Sequence, residues 1–315
     1  MTGTKTGHQR VRTISRSALP VTVSSGLVGV VLAWALILPG PLPVEAIARL
    51  GADGVGATVL GLTALSRVAP HLGTPWRLLA VGAGIWLVAE GAVLVFDASE
   101  VIGITAADLD AERFGTYLVH VSGGQVGVAT LAAVALIAGR SALAYRRPGS
   151  TSTDVVLVVA AVAMALRPIT GHMSQQPFGS VLAAIHAVAA AGWFGLLCAL
   201  TLVARTRGDW AGALPRYSAV ALPLAATVAV TGLLNGLIRI GGITPLLTSG
   251  YGRILLAKTV LLLGLSTLGW WWRRTWVPRA AHHRMNADAS LGRAVAEVAV
   301  MAVVFGLAAT LAVTA

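Results

Sequence analysis

The fold class is decided by a stretch in the middle of the chain, residues 185–195, which reads Ile185-His186-Ala187-Val188-Ala189-Ala190-Ala191-Gly192-Trp193-Phe194-Gly195. It belongs to an apolar run that is long enough to cross a bilayer as a helix. An ionisable side chain in such a run is costly and indicates a functional site. His172 and Met173 precede His186 by about four helical turns, in what we predict to be a short loop. Imidazole and thioether are the side-chain groups that suit copper among the common metals.

The composition of the whole chain places it in a membrane. Of its 315 residues, 56% are hydrophobic and 11% are charged, and the mean hydropathy is +0.81, whereas a soluble domain carries roughly 25% charged residues. The formal charge of +11 does not indicate nucleic acid as a partner, because basic cytoplasmic loops beside the lipid bilayer give the same excess. The single cysteine excludes an intramolecular disulfide and any CxxC motif.

Nine apolar segments are candidate spans, so we predict an all-α, polytopic integral membrane helical bundle of about 8–9 transmembrane helices. The segments cover residues 19–38, 51–66, 77–96, 114–139, 154–169, 179–204, 216–239, 252–272 and 291–314. The second segment is weak, because Ala, Gly and Thr dominate it. With the N-terminus in the cytoplasm, most of the 23 Lys and Arg residues fall on the cytoplasmic side, and the C-terminus lies outside. The first segment could instead belong to a signal peptide that is cleaved near Ala46-Ile47-Ala48.

Three histidines fall at similar estimated depth in this topology, in the half of the membrane that faces outward. They are His120 in the fourth span, His186 in the sixth, and His172 in the outer loop before it. We therefore predict a metal site formed by His120, His172 and His186, with Met173 as a possible further ligand. Each histidine could instead hydrogen-bond to a backbone carbonyl, and Met173 could face lipid headgroups.

Further polar or bulky side chains lie in the spans, and we expect them to line or gate a path for the ion. These candidates are Glu90, Trp193, Asn235 and Lys258. Polar groups at membrane depth need partners or water, so they indicate a polar cavity that opens outward. Glu90 and Lys258 could equally form a structural ion pair. Arg293 and Glu297 are four residues apart and favour a structural pair on one helix.

The second half of the chain, about residues 170–314, resembles the copper resistance protein D (CopD) family of bacterial inner-membrane proteins. The matching features, in order, are Gly171-His172, His186 to Trp193-Phe194-Gly195, Arg216-Tyr217-Ser218, Thr231-Gly232-Leu233-Leu234-Asn235, Tyr251-Gly252-Arg253-Ile254-Leu255-Leu256-Ala257-Lys258, and Arg293 to Glu297. The first half is similar to the variable upstream helices of the family. In the family a small residue commonly follows Gly-His, so Met173 is a departure.

The resemblance implies copper handling at the bacterial cytoplasmic membrane, as import or as resistance, with an extracytoplasmic copper-binding protein as partner. We expect one integrated membrane domain, made of a basic cytoplasmic segment (1–18), upstream helices (19–169) and a CopD-like region (170–315). One alternative is an electron-transfer protein in which two histidines clamp a b-type haem. Another is a factor that delivers copper during oxidase assembly. We do not expect an enzyme, since the chain has no HExxH, GxSxG or phosphate-loop motif.

Overall fold

The structure, a computed structural model, describes residues 4–169, 178–240 and 243–314. The described residues form α-helices, two short 3-10 turns and no strand, which confirms the all-α class. The helices are α1 (Thr4–Ile37), α2 (Val44–Val68), α3 (Trp76–Ile102), α4 (Ala111–His120), α5 (Ser122–Arg146), α6 (Thr153–Ile169), α7 (Gly179–Val203), α8 (Arg207–Ile240), α9 (Ile243–Thr248), α10 (Gly250–Ala281) and α11 (Ala287–Thr314).

Seven of the described helices are long and apolar enough to cross a membrane, so the chain is a multi-pass membrane protein with fewer candidate spans than the predicted eight or nine. They are α1 from Ala18 onward, α3, α5, α7, α8, α10 and α11. The two predicted segments that fall outside this set, 51–66 and 154–169, form α2 and α6. Both predicted segments therefore exist as helices. What separates them from the candidate spans is their apolar character or their described length.

The position of α2 in the bundle explains why it falls outside this set. The α2 helix packs against α3, α6, α7 and α11, so protein surrounds much of its surface. A helix that faces its neighbours can carry charged groups that a lipid-facing helix cannot, and α2 contains Glu45, Arg49, Asp53 and Arg67. The described part of α6 has 17 residues and ends where the described range ends.

The predicted span 114–139 is wrong as a single helix, because the chain breaks at Val121. Val121 has an extended conformation (φ −106°, ψ 132°) between α4 and α5. Gln125 donates from Nε2 to the Val119 carbonyl at 2.7 Å and so satisfies one group at the end of α4. The first turn of α5 comes so close to α4 that a side chain at Gly124 would overlap the Tyr117 carbonyl. Gly124 thus allows the chain to make a tight corner between α4 and α5.

The long helices reverse direction at each connection, so their termini gather at two ends of the bundle. At one end Arg49 Nη1 donates to the carbonyl of Ala312 at 3.3 Å. At the opposite end Arg67 pairs with Asp154, and Arg207 Nη1 donates to the carbonyl of His283 at 3.2 Å. We call the first the outer end and the second the inner end, following the positive-inside prediction above.

Candidate functional site

His186 lies two turns into α7 from the outer end and is half-buried. Its Nδ1 atom is 2.9 Å from the hydroxyl oxygen of Thr231 on α8. A threonine hydroxyl has one proton to donate, and Thr231 donates it to the carbonyl of Thr227 at 2.6 Å. The hydroxyl oxygen is therefore the acceptor in the contact with His186, and the ring carries its proton on Nδ1.

This tautomer places the lone pair of the ring on Nε2, and the other described group that hydrogen-bonds to the ring is the Val228 carbonyl of α8, which is an acceptor. Metal-binding histidines typically donate their other ring N–H to an oxygen acceptor, which fixes the tautomer and the orientation of the ring. Gly232 faces the ring edge, where an added methyl group would come within 3.2 Å of Cε1 of His186. The arrangement presents Nε2 as a metal ligand on a ring that is held in place.

Two of the predicted path residues lie beside this histidine. Asn235 is one turn beyond Thr231 on the same face of α8, and its Oδ1 atom is buried without a hydrogen-bond partner among the described residues. Lys258 of α10 is near enough for its charge to act on the His186 ring. Because α8 packs against both α7 and α10, three helices meet here. We call His186, Thr231, Asn235 and Lys258 the outer site.

The role of Thr231 was missed by the sequence analysis, although a signal existed. Asn235 and Thr231 are four residues apart, and that spacing puts both on one face of a helix. A hydroxyl on the face that carries a predicted path residue is a candidate second partner for an intramembrane histidine. The pairing itself joins residues 45 positions apart in the chain, which spacing within one helix cannot show.

The described part of the chain does not place the other predicted ligands close to His186. His120 is the last residue of α4 and is exposed, so it does not lie inside a span as predicted. The α4 helix packs against α3 and α5, whereas α7 packs against α2, α6, α8 and α11. His172 and Met173 fall outside the described residues. Across the described ranges, no group of three or more His, Cys, Asp or Glu residues could hold a metal ion, so the ligand set stays a prediction.

Glu90 has a different ion-pair partner from the one that the sequence suggested. It is buried on α3 and pairs with Arg167 of α6, whereas the sequence suggested a pair with Lys258 as one of two alternatives. Arg167 also pairs with Asp53 of α2, its Nη1 lying 2.7 Å from Oδ1, and Trp86 Nε1 donates to Glu90 Oε1 at 2.8 Å. The guanidinium thus joins α2, α3 and α6. The sequence contained an indication of this pair, since Arg167 lies near the end of a candidate span and a buried carboxylate requires a cation nearby.

Trp193, the remaining predicted path residue, is buried on α7 two turns inward from His186. Beside it lies the hydroxyl of Tyr217 from α8, which in turn lies near the carboxyl of Glu297 from α11. The expected Arg293–Glu297 pair does not form, because Arg293 Nη1 contacts the sulfur of Met285 at 2.7 Å. We call Trp193, Tyr217 and Glu297 the inner cluster.

The fold and these sites define a class: a multi-pass helical membrane protein with an intramembrane histidine and buried carboxyl groups. Residues 43–177 match the family described as "Copper resistance protein D-like, N-terminal domain", and residues 211–311 match "Copper resistance protein D". Together the matches cover about three quarters of the chain. The chain belongs to the copper resistance protein D family. No curated protein and no solved structure matches it at a significant level.

Proposed function

We propose that this protein carries copper across the bacterial cytoplasmic membrane and that the ion enters at the outer end through His186. The observation that carries the proposal is the hydrogen bond from His186 Nδ1 to Thr231, because it leaves Nε2 unprotonated at membrane depth. Membership of a copper resistance family supports copper as the ion. The positive-inside rule supports a cytoplasmic N-terminus and an external C-terminus.

The predicted ligands take successive roles in this proposal. His120 is exposed at the end of α4, where an extracytoplasmic copper-binding protein could release its ion. His172 and Met173 lie a few residues before α7 in the chain and would complete the coordination of an ion on His186. Ligation by these groups compensates for the lost hydration of the ion. Of the two oxidation states, Cu(I) is the one that a thioether ligand favours.

Replacing His186 with alanine is expected to lower the affinity of the purified protein for Cu(I) by about 100-fold, since loss of a ligand exceeds the effect of loss of its hydrogen-bond partner. The measurement is a competition titration against a chromophoric Cu(I) chelator under reducing conditions. His282→Gln is the matched control, because His282 is exposed near the inner end. Unchanged affinity in His186→Ala would refute the proposed site. A haem absorption band in the wild-type protein that His186→Ala abolishes would favour electron transfer instead.

Replacing Thr231 with valine is expected to weaken Cu(I) binding by about 10-fold, because the ring loses the acceptor that holds its proton on Nδ1. Valine has nearly the shape of threonine, so packing between α7 and α8 is retained. The same titration measures the effect, and Thr227→Val is the control, since the Thr227 hydroxyl bonds to its own helix at Pro223. Equal affinities for Thr231→Val and the control would show that the hydrogen bond does not prepare His186 for the metal.

A further inference from the structure

Helices α8 and α10 are longer than the hydrocarbon core of a membrane is thick. The α8 helix has 34 residues and α10 has 32, so each is about 50 Å long, whereas a helix crosses the core in about 20 residues. Counted inward from the outer ends at Ile240 and Gly250, the core ends near Val220 of α8 and Trp270 of α10. Both helices therefore pass through the lipid headgroup level and continue beyond it at the inner end.

Three exposed arginines lie at this headgroup level. Arg273 of α10 donates from Nη1 to the carbonyl of Ser218 on α8 at 3.1 Å. The guanidinium of Arg274 lies over the Trp270 ring, 4.1 Å from its centroid. Arg216 of α8 is the third. The contacts of the first two arginines hold their guanidinium groups in place and leave most of the five N–H donors of each for another partner.

No carboxylate of the described residues neutralises these three arginines. Of the three acidic side chains at the inner end, Asp154 pairs with Arg67, Asp209 accepts from backbone N–H groups just before α8, and Asp288 forms no ion pair among the described residues. Exposed positive charge at this level of a bilayer attracts anionic lipid headgroups. The three arginines therefore complement a phosphate group of the surrounding leaflet.

An exposed, mostly apolar stripe of α10 leads from Arg274 toward the middle of the membrane. Trp270, Thr267, Leu263 and Val260 follow it at spacings of four, three, four and three residues, so they share one face of the helix. The three apolar members are 58%, 64% and 66% exposed, and the Thr267 hydroxyl donates to its own helix at the Leu263 carbonyl. The stripe thus offers a continuous surface to an acyl chain, which is as apolar as leucine.

We propose that an anionic phospholipid binds here, with its phosphate on Arg273 and Arg274 and one acyl chain along the stripe from Trp270 to Val260. Guanidinium groups present their N–H donors in a planar fork that matches phosphate oxygens, and Arg216 adds a third positive charge. A second copy of this chain does not suit the same surface, because the two sets of arginines would repel each other. The surface lies far from the outer site, so the inference is independent of the proposed function.

The test is native mass spectrometry of the full chain, purified in a neutral detergent. The protein is titrated with an equimolar mixture of phosphatidylglycerol and phosphatidylcholine that carry the same acyl chains. We expect the wild type to retain phosphatidylglycerol about 10-fold in preference, because arginines at the membrane surface attract anionic lipid. The double variant Arg273→Gln/Arg274→Gln should lose this preference. Arg216→Gln, which alters an exposed side chain with no ion pair among the described residues, should lower it about 3-fold.

The matched control is Arg146→Gln/Arg147→Gln at the inner end of α5, which removes the same charge from the same end of the bundle. Both side chains are exposed, and neither is held by a ring or a carbonyl of the described residues. The control should keep the wild-type preference. Equal unfolding temperatures of the two double variants in lipid-free detergent show that a lost preference is not a loss of folding.

Three results would overturn the inference. Equal losses of preference in the two double variants would mean that the overall charge of the inner end attracts the lipid. Equal retention of the two lipids by the wild type would mean that the arginines do not select an anionic headgroup. A lipid-free dimer that Leu263→Arg dissociates would assign the stripe to a second copy of this chain.

Discussion

Replacing Arg167 with methionine is expected to lower the free energy of unfolding by about 3–5 kcal/mol, the usual cost of removing one partner from a buried ion pair. Methionine fills a similar volume, so the loss comes from the charge. The Arg167 side chain is 18% exposed, Glu90 is 8% exposed and Asp53 is 32% exposed. Most of the effect therefore comes from Glu90, because solvent reaches Asp53 and screens it.

Unfolding can be followed in a denaturing-detergent titration through the chain's only cysteine. Cys198 is buried and unpaired, so a thiol-reactive dye labels it only when the bundle opens. The matched control is Arg67→Met, which breaks a pair with Asp154 whose side chains are 64% and 55% exposed. That exposed pair should contribute at most about 1 kcal/mol. Equal losses in the two variants would show that the buried network does not stabilise the bundle.

A second substitution separates charge from packing. If the loss in Arg167→Met comes from an unpaired carboxylate, then adding Glu90→Gln should restore much of the stability, because the neutral amide still accepts from Trp86. If it comes from lost packing of the guanidinium, the double variant should be no more stable than the single one. The same titration is applied to Arg167→Met, Glu90→Gln and the double variant. The interaction energy of the two sites is the stability change of the double variant minus the sum of the changes in the two single variants.

The sequence could predict the all-α membrane class and the place of each long helix, because apolar runs of about 20 residues are a local property. It could not predict the corner at Val121. There His120, Ser122 and Gln125 interrupt the apolar run only weakly, and the close approach of Gly124 to Tyr117 shows why the chain turns. It also gave more spans than the seven found among the described residues, because it included α2, whose segment it recognised as weak, and α6.

The site was predictable to the extent that one helix determines it. His186, Asn235 and Lys258 were each identifiable as polar groups at similar depth, and the structure places them on helices that meet. Pairing between helices was not predictable, which is why Lys258 was considered as a partner for Glu90 although Arg167 is its partner in the structure. His120 illustrates the same limit, because its depth was estimated along a helix that ends at that residue. Depth is a property of one helix, whereas partnership depends on how several helices pack.

Replacing Gly195 with alanine is expected to destabilise the bundle by about 3 kcal/mol, at the upper end of the usual cost of overpacking. A methyl group at this position would overlap the carbonyl oxygen of Ala57 on α2, and Gly61 of α2 faces the Gly195 carbonyl equally closely. Both neighbours are backbone atoms, so no side chain can rotate away and the two helices must separate. Small residues allow such approach, and close packing contributes most of the stability of membrane helix contacts.

The control is Gly139→Ala on α5, where an added methyl group meets nothing within 4 Å. There alanine should stabilise the helix by about 0.5–1 kcal/mol, because glycine loses more backbone entropy on folding. Circular dichroism in a denaturing-detergent titration measures both variants without relying on Cys198, which lies one turn from Gly195. Stability unchanged in Gly195→Ala would mean that α2 and α7 do not touch at this point. If this loss of stability is observed, Gly195 is what allows α7 to pack closely against α2. That contact sets the depth at which His186 and Trp193 face α8.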